Sequence, residues 1–344
     1  MRTVALGGKK VGAGQPCYLI AEIGGNFLTV EEAERLIDLA AEAGVDAVKL
    51  QTFRAETLTT RKAVFEMENT GKVSQFDLFK KYEVSPETHH AIFAHAAKRG
   101  LFCFSTPSHA TDTDLLASLG SQAYKIGSDD AVNVPFIRHA ARKGKPILLS
   151  TGMCTLAEVQ ASVKAIEDEG NTDIILFHCT TSYPTHPEAV NLGAMLAMQK
   201  ALPYPVGYSD HTLGIDVCYA AAALGAPILE FHFTHDKKAE GPDHMLSKDP
   251  RETAELARKV RLLPVIMGDG IKRPAPAEAN QLRNNRKSLV VIRGVKAGAK
   301  LAEGDFEARR PGTGIACARY DEVLGKTAKR ALSEGEVLTW DDLA

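Results

Sequence analysis

The chain has 344 residues, with 41 Lys and Arg against 43 Asp and Glu for a net charge of −2, and is 44% hydrophobic and 24% charged. This balance excludes a disordered chain, and evenly mixed charge without a basic stripe excludes a nucleic-acid-binding surface. No run approaches the ~18 apolar residues of a membrane span. Positions 1–15 lack the apolar core of a signal peptide. Six scattered cysteines without C-x-x-C spacing read as reduced thiols of a cytoplasmic protein.

Residues 1–15 read as a short hairpin that closes the bottom of whatever follows. Beyond them, apolar runs alternate with helical patterns. Strands are predicted at 18–24, 47–53, 102–107, 123–128, 146–152, 174–180, 206–211 and 227–234, and helical periodicity covers 30–43, 90–99, 156–169, 215–224 and a final 250–263. Thr29-x-x-Glu32 and Thr155-x-x-Glu158 have the form of capping boxes, and Gly44, Gly100, Gly120, Gly144, Gly170 and Gly225 stand where helices turn into the next strand. About eight strand–helix units over roughly 250 residues predict an α/β fold, a closed (β/α)8 TIM barrel. A doubly wound sheet would have fewer strands and often a G-x-G-x-x-G fingerprint, which is absent.

Positions 54–86 are long for a strand-to-helix loop and contain Phe65, Phe76, Phe79 and Tyr82. On the catalytic side of a barrel, such a partly helical insertion is a candidate lid. The Pro-, Ala- and polar-rich stretch after residue 271 marks a linker, and the pattern then changes to short strands and turns. The expected division is a barrel domain at 1–270, a linker at 271–286 and a small β-rich domain at 287–344.

Barrel active sites form at the C-terminal ends of the strands, and here every predicted strand ends in polar residues. These are Glu22 and Asn26; Lys49 and Gln51; Ser105 and Thr106; Lys125 and Ser128; Ser150 and Thr151; His178, Thr180 and Thr181; Ser209, Asp210 and His211; Glu230 and His232. Lys49 and Lys125 sit inside strand runs, where a lone ammonium needs an anionic partner. Either they pair with Glu22 or Glu230, or they hold a bound phosphate or carboxylate, to which the hydroxyl-rich strand ends add neutral donors. His211 and His232 end adjacent strands, so neutral imidazoles could share one divalent ion and leave positions open for substrate. His235 and His244 lie in a loop, and His178 falls mid-strand as a core residue.

AEIGGN (21–26), VKLQTF (48–53), YKIGS (124–128), PILLSTGM (146–153), LFHCTTSYP (176–184), GYSDHT (207–212), LEFHFT (229–234) and GPD (241–243) strongly resemble the sialic acid synthase family. RRPGTG (309–314) and VLGKTAKRALSEGEVLTW (323–340) resemble its antifreeze-like (SAF) domain. The resemblance covers essentially the whole chain. It implies a TIM barrel joined to an SAF domain, in a domain-swapped homodimer where each SAF domain covers its partner's site. It also implies condensation of phosphoenolpyruvate with the open-chain aldehyde of an N-acetylated mannosamine-type sugar, with release of phosphate by C–O cleavage.

By the same resemblance, His211 and His232 ligate Mn2+ or Mg2+. Lys49, Lys125 and Ser128 hold phosphoenolpyruvate, with Thr106, Ser150 and Ser209 beside them. Glu22, Gln51, Tyr183 and Asp243 lie near the sugar, and the partner's counterpart of Arg310 lies near its N-acyl group. Glu22 or Glu230 stabilises positive charge at C2 or deprotonates the attacking water. Thr181 stands where relatives often have Asn, still offering a hydroxyl. Phe27 and Phe231 replace residues that are often polar or basic, which is expected to make the mouth of the site less polar. N-acetylneuraminate synthase is the leading expectation. Legionaminic or pseudaminic acid synthases, acting on diacetamido-trideoxyhexoses, are the alternative. A Schiff-base aldolase using Lys125 or Lys49 is the more distant one.

Overall fold

In the computed structural model, residues 2–67 and 71–344 are described. Residue 1 and residues 68–70, which belong to the expected N-terminal hairpin and to the 54–86 insertion, lie outside the described residues. The chain divides into two compact units, Met1–Met267 and Gly268–Ala344.

In chain order the strands are β1 (Val4–Leu6), β2 (Lys9–Val11), β3 (Tyr18–Glu22), β4 (Ala47–Thr52), β5 (Val64–Met67), β6 (Gly71–Ser74) and β7 (Phe102–Pro107). There follow β8 (Tyr124–Ile126), β9 (Ile147–Ser150), β10 (Ile174–Cys179), β11 (Val206–Asp210), β12 (Ile228–His232), β13 (Ser288–Val291) and β14 (Phe306–Arg309). Eight parallel strands close in the order β10-β11-β12-β3-β4-β7-β8-β9, so the TIM barrel expected from the alternation is present. Both predicted capping boxes form, at Thr29/Glu32 and Thr155/Glu158. Helix Pro86–Lys98 starts earlier than its apolar periodicity suggests, because Ser85 caps it and Pro86 supplies a preset first-turn φ. The last barrel helix runs on from the predicted 263 to Met267, and the expected linker contains a short helix, Ala279–Asn284.

Side-chain alternation sorts each barrel strand into two populations. One packs outward against the helices, as do Leu19, Ala21, Val48, Leu50, Tyr124, Ile126, Leu149 and Phe231. The other fills the barrel, and its lower layer is apolar: Tyr18, Ile20, Ala47, Phe104, Leu148, Ile175, Phe177 and Ile228. Val4, Leu6 and Val11 of the β1–β2 hairpin join that layer and plug the barrel's N-terminal end. Gly207 keeps β11 close to β12, since a Cβ there would collide with the Ile228 carbonyl. Continuing the inward series upward by two residues per strand reaches Glu22, Lys49, Thr106, Lys125, Ser150, Ser209, Glu230 and His232. The core therefore turns polar at its C-terminal end.

The second unit has its own core, including Leu289, Val291, Leu301, Phe306, Ile315, Val323, Leu332 and Leu338. It is built around the antiparallel β13–β14 pair.

Candidate active site

The polar layer floors a cavity of about 300 Å³ at the C-terminal mouth of the barrel. Lys49 Nζ lies against Glu22 Oε2 and 3.6 Å from Glu230 Oε1, and Lys125 Nζ is 3.3 Å from that same Glu230 oxygen. All four groups are buried. Ion pairing, one of the two readings of these lysines, is therefore present, and the same ammonium groups still face the cavity. Lys49 also donates to Thr106 Oγ1 at 2.9 Å, and Lys125 to Ser150 Oγ at 2.7 Å.

Burial disfavours the Lys49 cation, but the carboxylates of Glu22 and Glu230 outweigh it and hold the group protonated. Burial pushes the Lys125 pKa down, with Glu230 offsetting only part of the effect. For Glu230, burial is outweighed by Lys125 and Lys49, which keep it ionised. Glu22 is raised by burial despite Lys49. Gly24 N–H donates to Glu22 Oε1 at 2.5 Å, and a side chain at Gly24 would strike that oxygen.

Hydroxyls crowd the floor beside these cations. Ser128 Oγ accepts from Gly152 N–H at 3.0 Å and lies 3.0 Å from Cys179 Sγ. A Cβ at Gly152 would run into Thr181 Oγ1, so glycine there keeps the space between Ser128 and Thr181 open. Ser150, Ser209 and Thr181 line the same cavity. Two cations in a bed of hydroxyl and backbone donors suit a small multiply charged anion.

His211 and His232 have ring centroids 5.4 Å apart, and Tyr183 packs 4.2 Å from the His211 ring. His211 Nδ1 lies 2.8 Å from the Thr180 carbonyl. A carbonyl only accepts, so Nδ1 carries the proton and Nε2 keeps a free lone pair. Burial holds both imidazoles below their ordinary pKa, His232 well below, with His211 and nearby lysines adding to the effect. His232 Nδ1 is buried without a hydrogen bond, 3.4 Å from Asp243 Oδ2. Burial, helped by the negative charge of Glu22, raises the Asp243 carboxyl to about 7.

Two neutral histidines with free ring nitrogens fit a divalent cation in donor chemistry. Among the described residues no three His, Cys, Asp or Glu side chains converge to hold one alone. Such an ion would therefore complete its coordination with water or substrate.

A second buried ion pair stands behind the histidines. Lys248 Nζ donates to Asp210 Oδ2 at 2.5 Å and to the Thr212 carbonyl at 2.8 Å. The Lys248 main-chain N–H donates to the His232 carbonyl at 2.7 Å. One residue thus braces the strand ends that carry both histidines. Sequence reading missed Lys248, because nothing in its local pattern marks it as buried.

Of the residues singled out from the sequence, Glu22, Lys49, Gln51, Thr106, Lys125, Ser128, Ser150, Thr181, Tyr183, Ser209, His211, Glu230, His232 and Asp243 all line the cavity. Other polar strand-end residues serve structure. Asn26 bonds the Phe233 carbonyl and Ser247, Ser105 bonds Thr52, Thr151 bonds the Phe177 carbonyl, and His178 donates to the Val190 carbonyl.

Phe27 and Phe231 are a correction. Both are buried in the core between barrel and helices and do not reach the mouth. Phe231 sits between inward-facing Glu230 and His232, so the strand's period of two turns it outward. Arg310 lies exposed in the second unit, where its Nε donates to the Asn285 carbonyl at 3.1 Å. Part of the cavity wall comes from the insertion: Phe65, Phe79 and Tyr82, which the sequence singled out, line it together with Leu58 and Leu78, which it did not; Phe53, Cys179 and Asp129 are further lining residues missed from the sequence.

Fold and site together define a (β/α)8-barrel enzyme whose mouth joins a cationic, hydroxyl-rich floor to a pair of neutral histidines. The NeuB family model matches residues 36–272 and the SAF domain model matches 286–344. The chain belongs to the NeuB family. It is 38% identical over 327 residues to the N,N'-diacetyllegionaminic acid synthase of Campylobacter jejuni, covering 93% of this chain and 98% of that protein. It is 35% identical over 303 residues to the N-acetylneuraminate-9-phosphate synthase of Mus musculus, covering 86% and 83%. A solved N-acetylneuraminic acid synthetase from Leptospira borgpetersenii, in complex with citrate, superposes with a TM-score of 0.73 at 30% identity. It covers 82% of this chain and 95% of that one.

Proposed function

We propose that the protein condenses phosphoenolpyruvate with the open-chain aldehyde of an N-acylated mannosamine-type sugar, giving a nonulosonic acid and phosphate. The observation that carries this reading is the floor, where Lys49 and Lys125 face the cavity among Thr106, Ser128, Ser150 and Ser209, next to His211 and His232. Lys49, Lys125 and the hydroxyls take the phosphate and carboxylate of phosphoenolpyruvate. Gln51, Thr181, Tyr183 and Asp243 line the space above for the sugar.

The C2=C3 electron pair of phosphoenolpyruvate forms a bond from C3 to the aldehyde carbon, and the aldehyde oxygen takes a proton. Positive charge develops at C2, where the buried carboxylates Glu22 and Glu230 face it. Water adds at C2 and loses a proton to one of these carboxylates. Phosphate then leaves with its bridging oxygen, by C–O cleavage, as the new C2 hydroxyl gives up its proton and becomes the C2 ketone. Mn2+ or Mg2+ would be held by His211 and His232, and when bound supplies Lewis-acid polarisation of the aldehyde.

The proposed working form is a cytoplasmic homodimer in which the SAF domain of one protomer covers the mouth of the other and Arg310 meets the acceptor's N-acyl group. Exposed apolar residues on loops at the barrel's C-terminal end, Val132, Met153 and Leu213, support such a cover.

Phosphate release from phosphoenolpyruvate with Mn2+, across N-acetylmannosamine, diacetamido-trideoxyhexoses and mannose, tests the reading. Release that requires both an N-acylated sugar and the metal supports it. Release with none of them, from folded and metal-loaded protein, removes it. Covalent trapping of Lys125 by borohydride with pyruvate would favour an aldolase instead.

A further inference from the structure

His211 follows β11 and His232 ends β12, so the two rings, 5.4 Å apart at their centroids, are carried by different strand ends. Groups that share one ion must be held to within about 0.5 Å, which requires the two ends to be tied to a common part.

The His211 end is gripped on both sides. Asp210 folds back across it, its Oδ1 accepting from Thr212 N–H at 3.1 Å and from Thr212 Oγ1 at 2.8 Å. Asp210 Oδ2 accepts from the Lys248 ammonium at 2.5 Å, and the same ammonium donates to the Thr212 carbonyl at 2.8 Å. Lys248 Nζ therefore holds the chain one residue before His211 and one residue after it. The His232 end is held by the main chain of the same residue. Lys248 N–H donates to the His232 carbonyl at 2.7 Å, and the Lys248 carbonyl accepts from Thr234 N–H at 3.0 Å.

Stability alone is a poor reason for this arrangement. The Lys248 and Asp210 side chains are 1% and 0% exposed, and taking two charges out of water offsets much of their attraction, so apolar residues of similar volume would serve the fold as well. An apolar side chain could not supply direction, namely bonds to two points flanking His211 from a backbone already paired with His232. Asp210 also cancels the ammonium charge, which would otherwise repel a nearby cation.

We propose that Lys248 is a positioning residue for the histidine pair, its side chain and main chain together fixing the separation of His211 and His232 before any ion arrives. The proposal rests on the ion assigned above to these histidines. Donors that are already in place spend no binding energy on ordering, so the property Lys248 governs is metal affinity.

The test titrates metal-stripped, full-length protein with Mn2+ and follows the free ion by electron paramagnetic resonance; the relevant site is the one lost in His211→Ala. Lys248→Met is expected to raise the Kd of that site about tenfold or more. Lys248→Met combined with Asp210→Asn leaves no stranded carboxylate and carries the test where the single variant does not fold. Its urea midpoint should exceed that of the single variant, while its Kd stays about tenfold or more above the wild type. Val163→Ala, in the core beneath helix Leu156–Glu167, lowers stability and should leave the Kd unchanged. A wild-type Kd in either Lys248 variant, an equal rise in Val163→Ala, or loss of the cooperative melt in the double variant makes Lys248 a residue of the fold alone and overturns the proposal. No His211-dependent uptake of Mn2+ by the wild type overturns it together with the ion. Absence of sugar-dependent phosphate release would remove the condensation but leave the Kd comparison, and so the role of Lys248, intact.

Discussion

Two buried ion-pair systems do different work at single residues. The Glu22–Lys49–Glu230–Lys125 group faces the cavity and is available to substrate, whereas Asp210–Lys248 is sealed behind the histidines. Lys248→Met strands the Asp210 carboxylate and is expected to cost about 3–5 kcal/mol in urea denaturation, part of it recovered when Asp210→Asn is added. His211→Ala or His232→Ala should lower turnover by more than about 10²-fold while the cooperative melt is retained. Full activity of either variant with added metal would remove the two-histidine assignment. The residue types at the strand ends were readable in advance, because lysine, glutamate and histidine inside apolar runs need a reason to be there. Their individual partners were not. Ser105 and Thr106 are neighbours, yet one turns outward to bond Thr52 and the other turns inward to hold Lys49.

For whole elements, strand alternation explains both what was legible and what was misjudged. Counting by twos along β12 places Ile228, Glu230 and His232 inside and sends Phe231 outward to the helices. Applied to Phe231, that count would have kept it away from the mouth. The 54–86 insertion stood out by its length and aromatic content, and a lid was expected of it. Its hairpin and the direction in which Phe65 points depend on contacts with Phe79, fourteen residues away in sequence and adjacent only once folded. Replacing residues 60–74 with a short Gly/Ser turn should leave the barrel cooperatively folded. It should raise the acceptor KM roughly tenfold or more while the phosphoenolpyruvate KM stays within about threefold, as steady-state kinetics would show.

Across the molecule, the barrel and the C-terminal unit have separate cores. On the proposed covering of the site by a partner's SAF domain, a chain ending at Lys272 is expected to fold as a barrel and to lose about 10²-fold in turnover. Normal turnover would exclude the SAF domain from catalysis. The C-terminal unit also carries its own acid sensitivity. Burial tends to raise Asp342, but Thr339 and Arg330 bond its carboxylate and hold it below the ordinary aspartate value. Asp305 behaves likewise through Ala302 N–H and Arg293. A carboxyl whose folded pKa is depressed contributes stability above its unfolded pKa and loses it as pH falls through the folded value. Fluorescence of Trp340, the only tryptophan and part of this unit, should therefore report unchanged stability above about pH 5 and progressive loss below about pH 4. Asp342→Asn should flatten that dependence, and an unaltered acid limb would show that other groups set it.

The alternation of apolar runs with capped helical patterns was enough to imply the barrel, because strands buried on both faces and helices buried on one leave periodicities that survive in one dimension. The polar strand ends likewise marked where the chemistry sits, since unlike charges inside apolar runs are costly unless they face a site or each other. Which lysine pairs with which glutamate, that Lys248 braces both histidine-bearing strands, and that the insertion turns an apolar face to the cavity were decided only in three dimensions. Each depends on groups brought together from distant parts of the chain, and burial and charge act through distance in space, which spacing along the chain does not encode.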